Sequence, residues 1–180
     1  VKGIVYTRHD GGVSVCHPAP DIFAVMQSGG YWDDRPAGFV QTQIDRQIAD
    51  GIDPDHARRF AHAVAFGGCT EAEAWDILRD RDCARHGYHH DVMQLVDLPD
   101  RWFRDAWARG HNGGPVYVDL GKARPIQWQK IVSAIHVENA KRELDLFGKA
   151  PVKLQRQLWQ RCIRSARDDE ELRRVFPTFD

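Results

Sequence analysis

One hundred and eighty residues, 42% hydrophobic and 28% charged, make a chain long enough for one domain with a true core or for two small ones. No apolar run approaches the roughly 18 residues that a membrane span needs, so a membrane is excluded from the expected partners. The net charge of −1 conceals an asymmetry: residues 1–100 carry nine Lys/Arg against sixteen Asp/Glu, residues 101–167 fourteen against five, and residues 168–180 two against five. Such a reversal points to a partner surface, or to two halves that neutralise each other.

The N-terminus, Val1-Lys2-Gly3-Ile4-Val5-Tyr6, reads as a strand and not as a signal peptide. Val1 is readable as an alternative GTG start codon rendered literally, and on that reading the chain is expected to be complete. Residues 2–8 and 13–17 are β-branched runs around His9-Asp10-Gly11-Gly12, the pattern of a β-hairpin. Pro18 and Pro20 end it, and a short helix follows from Asp21 to Gln27, stopped at Ser28-Gly29-Gly30. Three helices are predicted next. The first runs from about Pro36 to Asp50 with Gly51 as its stop. The second opens on Asp53-Pro54, an N-cap with proline in the first helical position, and ends at Gly67-Gly68. The third opens on Thr70 with Glu73 three residues on, a capping box, and runs to about Arg81. Residues 82–91 read as a polar, histidine-rich loop, and Val92–Val96 as a strand.

Charge changes sign near residue 98, which divides the chain into an acidic region, 1–98, and a basic helical region, 99–180, the two forming either separate domains or one compact domain. In the second region Asp100 is an N-cap for a short helix to Arg109, His111-Asn112-Gly113-Gly114 is a turn, and Val116–Leu120 is a strand. A long helix is predicted to Phe147, ended by Gly148, with Pro125 tolerable only in its first turn. A last helix runs from Pro151 to Arg167, and the acidic 168–171 stretch starts a final turn. The fold expected is α+β and helix-dominated. A small antiparallel sheet, made of the hairpin with strands near 92–97 and 116–120, packs against helices, and long helices fill the C-terminal part.

The long helix carries two apolar stripes. Trp128, Ile131, Val132 and Ile135 share one face, while Val137, Ala140, Leu144 and Phe147 share a face turned by roughly 140°. A straight helix cannot bury both against one layer, so it bends near His136 or its halves meet different neighbours, a second subunit being one candidate.

Among candidate sites, Asp100-Arg101-Trp102-Phe103-Arg104-Asp105-Ala106-Trp107 is the densest cluster. On a helix Phe103 and Trp107 stack four apart beside Trp102, which makes these three rings either a structural aromatic anchor or a platform for bases. On the last helix Lys153, Arg156, Arg161, Arg164 and Arg167 fill one arc without an acid, opposite Leu158, Trp159, Cys162, Ile163 and Ala166. That arc is either a solvated face or the binding surface for a phosphate backbone or an acidic protein. Cys83, His86 and His89 have the spacing of soft metal ligands, or of a thiol with its base, but only one such knuckle exists, and a polar loop is the simpler reading. No P-loop, dinucleotide fingerprint, HExxH or GxSxG occurs, so no cofactor and no catalytic residue is expected.

Two stretches, LPDRWFRDAW at 98–107 and VDLGKAR at 118–124, resemble a group of small proteins encoded in bacteriophages and prophages. Their pattern is D-R-(T/W)-F-R-(D/N)-A-W, then V-D-(L/M)-x-K-A-(R/K) opening a long helix. The stretches VYTRHDGGVSVCHPAP at 5–20 and ELRRVFP at 171–177 are similar to such proteins too, whereas residues 30–95 are not. The resemblance implies a phage or prophage context, often near tail genes, and no activity.

The expected function is therefore that of a phage accessory protein acting by binding a protein or a nucleic acid, in virion or tail assembly, with a homodimer as one assembly state. Two alternatives stay open: an anti-defence inhibitor of a host nucleic-acid-binding system, and a metal- or thiol-dependent enzyme. The four cysteines are scattered and no export signal precedes them, so the expected location is the cytoplasm of a bacterial host, with reduced thiols.

Overall fold

The structure, a computed structural model, describes residues 1–144 and 150–179. It is an α+β fold with more than half of its residues in helices and its strands antiparallel. The chain forms two compact units, one comprising Val1–Leu98 with Arg109–Gly114, the other Pro99–Ala108 with Pro115–Asp180.

In the first unit β1 (Lys2–Arg8) and β2 (Val13–Cys16) form the predicted hairpin, and β3 (Gly87–Gln94) pairs antiparallel with the other edge of β1. β3 corrects the sequence reading. The loop expected through 91 is strand from Gly87 onward, and the strand expected at 92–97 ends at Gln94, with Leu95–Asp97 a 3₁₀ turn. The reason is a bulge. Val5 faces Asp91 and Thr7 faces Tyr88, so His89 and His90 together stand opposite Tyr6, and His89 takes φ 52°. Two residues against one destroy the alternation by which a strand is recognised.

Four helices complete this unit: α1 (Ile22–Ser28), α2 (Phe39–Ala49), α3 (Pro54–Phe66) and α4 (Glu71–Asp82). α2 starts three residues later than expected because Gly38, at φ 86°, has a left-handed backbone that a right-handed helix cannot continue through. Asp53 accepts from the N–H groups of Asp55 and His56 and so starts α3, with Pro54 behind it. Thr70 and Glu73 form the full capping box of α4, and the Thr70 N–H holds the Glu73 carboxyl below the usual carboxylate range. The core joins β1, α1, α3 and α4 through Ile4, Met26, Val64, Trp75 and Leu78.

The ends of α1 and α3 lock together through glycine. Gly30 N–H donates to Ala65 O at 2.8 Å, and Gly68 N–H donates to Gln27 O at 2.9 Å. Gly29 and Gly67, at φ 70° and 69°, lie backbone to backbone, and a Cβ on either would overlap the other's loop. Gly67→Ala is expected to cost about 2 kcal/mol, from left-handed strain and from this close approach. An unfolding midpoint in urea unchanged from the parent would refute this role.

In the second unit the motif Arg101–Ala106 is 3₁₀ and not α-helical, with Phe103 outside helical geometry, and the chain turns extended at Trp107. The predicted helix to Arg109, with Phe103 and Trp107 stacked four apart, is therefore not formed. Both rings are buried nonetheless, at 1% and 2% exposure. β4 (Trp107–Gly110) and β5 (Gly113–Val118) pair with each other as a separate two-stranded sheet. The strand expected near 116–120 is thus real, but it does not join the sheet of the N-terminal hairpin.

α5 (Leu120–Glu143) is a single 24-residue helix capped by Asp119. Pro125 lies past its first turn, against expectation, and the residue four before it is Gly121, which adds no side chain of its own to the proline ring's clash with the preceding turn. Of the two apolar stripes, Ile131 and Ile135 are buried, whereas Val137 and Leu144 are 56% and 85% exposed. The expected helix end at Phe147 and stop at Gly148 lie outside the described residues.

α6 (Arg156–Ser165) is ten residues long, shorter than the predicted Pro151–Arg167. The Asn139 side chain explains the late start. It accepts from Val152 N–H at 2.7 Å and donates to Val152 O at 3.2 Å, holding that residue out of helix while Val152 and Leu154 alternate into the core. α7 (Asp169–Arg174) opens on Asp168, whose carboxylate accepts from Glu171 N–H.

Candidate functional site

The five cations expected on one helical face are not all on a helix. Lys153 lies exposed in the extended segment before α6. Arg167 lies past its end and pairs with Glu171 at 3.0 Å. α6 itself presents Arg156, Arg161 and Arg164, and contains no acidic residue.

Of these, Arg164 borders a groove that the sequence reading missed. Arg124, Pro125 and Trp128 of α5 face Gln160, Ile163 and Arg164 of α6 across about 350 Å³, and no acid lines it. Arg124 and Trp128 are one helical turn apart on α5, a spacing legible in VDLGKAR and the residues after it. Arg124 donates from one terminal nitrogen to Ala166 O at 3.2 Å, while its buried Nε has no partner among the described residues. Arg164 donates from Nε to Gln160 O at 3.2 Å and is an exposed residue. The Arg156 guanidinium lies over the Trp128 ring, 5.8 Å from its centroid. Two arginines on opposite walls, one of them beside an indole on its own wall, suit an oxyanion such as phosphate beside a flat ring.

The aromatic motif builds an anchor in the same unit. Asp100 caps the 3₁₀ segment through Trp102 N–H and forms an ion pair with Arg173. Trp102 meets Phe176 edge-on at 5.4 Å, with Lys130 and Arg173 at 4.3 and 5.3 Å from its ring centroid. Its indole N–H donates to Gln127 Oε1 at 2.7 Å, and Gln127 Nε2 donates to Val175 O. Gln127 is fully buried. Trp102 thus already holds two cations near its ring and a hydrogen bond at its nitrogen.

In the first unit the residues Cys83, His86 and His89 do not converge. Cys83 is fully buried at the end of α4, and contact with the Cys16 thiol, with burial added, pushes its own thiol far up. His86 Nε2 accepts from Arg85 Nε, and the His89 ring lies against Tyr88. No group of three or more His, Cys, Asp or Glu side chains able to hold a metal occurs among the described residues. A protonated, buried Cys83 lacks the accessible thiolate of a nucleophile. A cavity of about 600 Å³ lies among Pro18, Pro20, Phe23 and Trp75, with Lys2 and Glu71 paired at its rim. The Phe23 and Trp75 rings pack on each other at 4.5 Å.

Sequence reasoning also missed Arg109. Its side chain is 1% exposed and binds inside the first unit: Nε to Gly114 O at 2.9 Å, one terminal nitrogen to His89 O at 2.7 Å, and the other to the Asp91 carboxylate. This guanidinium fills the β3 bulge.

Comparison with known protein families, with curated proteins and with solved structures finds no match to this chain. No helix among the described residues is long and apolar enough to cross a membrane.

Proposed function

We propose that this chain is a bacteriophage or prophage accessory protein that works by binding the phosphate backbone of a nucleic acid, through the α5–α6 groove of its second unit. The observation that carries the reading is the acid-free groove with Arg124 and Trp128 on its α5 wall and Arg164 on its α6 wall. Arg156 and the exposed Arg161 extend the positive field along α6. The phage context rests on the resemblance of the motif stretches. Their packing, Asp100 on Arg173 and Trp102 on Phe176, supports a structural role for them. Within that context we place the binding step in virion or tail assembly, and normal infectious particles from a phage lacking the gene would remove that role.

The anti-defence alternative, with the acidic unit imitating nucleic acid, has less support. Its acids are interleaved with arginines: Asp55 with Arg58, Asp76 and Asp80 with Arg79, and Asp82 with Arg81.

Fluorescence anisotropy with a labelled single-stranded oligonucleotide tests the proposal. With about three phosphate contacts, the logarithm of affinity should fall against the logarithm of salt with a slope near −2. Arg164→Glu should weaken binding by at least about tenfold and flatten that slope by about one. No anisotropy change at low salt, or equal affinity for the variant, would overturn it.

A further inference from the structure

Around the α5–α6 groove the charges are met differently from elsewhere in the second unit. Arg142, Arg167, Arg173 and Arg174 each pair with a carboxylate. Arg124, Arg156 and Arg164 pair with no carboxylate among the described residues, and no acid lines the groove. Arg156, Gln160 and Arg164 are spaced by four along α6 and share one face. Arg156 and Arg164 are thus about 12 Å apart along the helix axis. The first lies over the Trp128 ring, and the second lines the groove with Arg124, which its bond to Ala166 O holds in place. Trp128 is only partly buried, and Pro125, one turn before it, is exposed. A phosphate accounts for the arginines but not for this apolar wall.

We infer that the groove selects single-stranded nucleic acid, one unpaired base lying against Trp128 while phosphates of the same strand meet Arg124, Arg156 and Arg164. The inference rests on the nucleic-acid reading above and names the form of nucleic acid that the same site takes. In a duplex both faces of each base are covered by its neighbours, and only base edges show in the grooves. A duplex can bring phosphates to these arginines, but it offers no free ring face to an indole. An unstacked base does offer one. Every base has such a face, so the preference is for strand form and not for sequence. At about 350 Å³ the groove is at the small end of ligand sites, in keeping with one base and its phosphate. Arginines about 12 Å apart reach different phosphates of one strand, so positive charge stands on both sides of the base.

The test compares three labelled ligands on the full chain by anisotropy at low salt: a short single strand, the same strand annealed to its complement, and an abasic strand that keeps the phosphates and lacks the bases. The single strand should bind about tenfold more tightly than either of the others, since stacking on one aromatic side chain supplies that much. Trp128→Leu should remove the advantage, and Trp128→Phe should restore most of it. With 5-iodouracil in the strand, ultraviolet light should crosslink it to the peptide that carries Trp128. Equal binding of strand, duplex and abasic strand overturns this inference and leaves the nucleic-acid reading standing. No binding of any of the three overturns both. Displacement of the strand by adenosine monophosphate as readily as by unlabelled strand makes a free nucleotide the ligand, which also overturns the inference. The abasic comparison uses the parent protein, so it decides even if a variant fails to fold.

Discussion

Arg109→Met is expected to destabilise the first unit by about 4 kcal/mol, the largest effect of any single substitution considered. The guanidinium donates to the carbonyls of Gly114 and His89, approaches that of Val5, and pairs with Asp91. Methionine keeps much of the volume and removes every donor. The Asp91 side chain is 53% exposed, so water takes over its carboxylate and that pair contributes little to the loss. The cost comes from removing a buried guanidinium whose bonds to the Gly114 and His89 carbonyls are part-buried and whose approach to the Val5 carbonyl is buried, about 1–3 kcal/mol for each bond made by the charged donor. His89 adds to it, because its left-handed backbone (φ 52°) is unfavourable for a residue with a Cβ and is held in place by this bond. Arg109→Lys should recover only part, since an ammonium lacks the planar fork that reaches several acceptors at once. Hydrogen exchange localises the effect: amides of β1 and β3 should lose protection in the methionine variant. Protection equal to the parent would show that the bulge stands without the guanidinium.

Gln127→Leu should cost the second unit about 3 kcal/mol. The fully buried amide links the Trp102 indole to the Val175 carbonyl, and so ties α5 to the 3₁₀ motif and to the C-terminal segment. Leucine fits the volume but strands one donor and one acceptor at about 1–3 kcal/mol each. Gln127→Glu sharpens the point through pH. A protonated carboxyl can accept from the indole and donate to Val175 O, whereas the carboxylate loses that donor and buries a charge. Its folded pKa is therefore raised above the unfolded value. Stability is then fully present below the unfolded pKa and is lost as pH rises through the folded one. Thermal unfolding followed by tryptophan fluorescence reads both variants. A glutamate variant as stable at pH 8 as at pH 4 would refute this role for the amide.

Where local backbone chemistry decides the structure, the sequence was legible. The hairpin around Gly11, the start of α3 at Asp53-Pro54 and the capping box of α4 lie where expected, because each depends on residues within three or four positions. The candidate site was only half legible. The acid-free character of α6 could be read, but the groove needs α5 beside it, and its Arg124 and Trp128 lie more than thirty residues upstream of Arg164. Lys153 dropped out because Asn139, from another helix, holds the neighbouring Val152 extended.

The amino-acid sequence by itself determined the α+β class, most helix starts, the glycine turns and the charge reversal near residue 98. Each follows from caps, from φ preference or from composition, which act over a few residues. Tertiary structure alone decided that β4 pairs with β5 and not with the hairpin sheet, that the β3 bulge closes on Arg109, and that the 98–107 and 171–177 stretches pack on each other. Those outcomes depend on hydrogen-bond partners and packed rings tens of residues distant, whose energies exceed the local preferences they override.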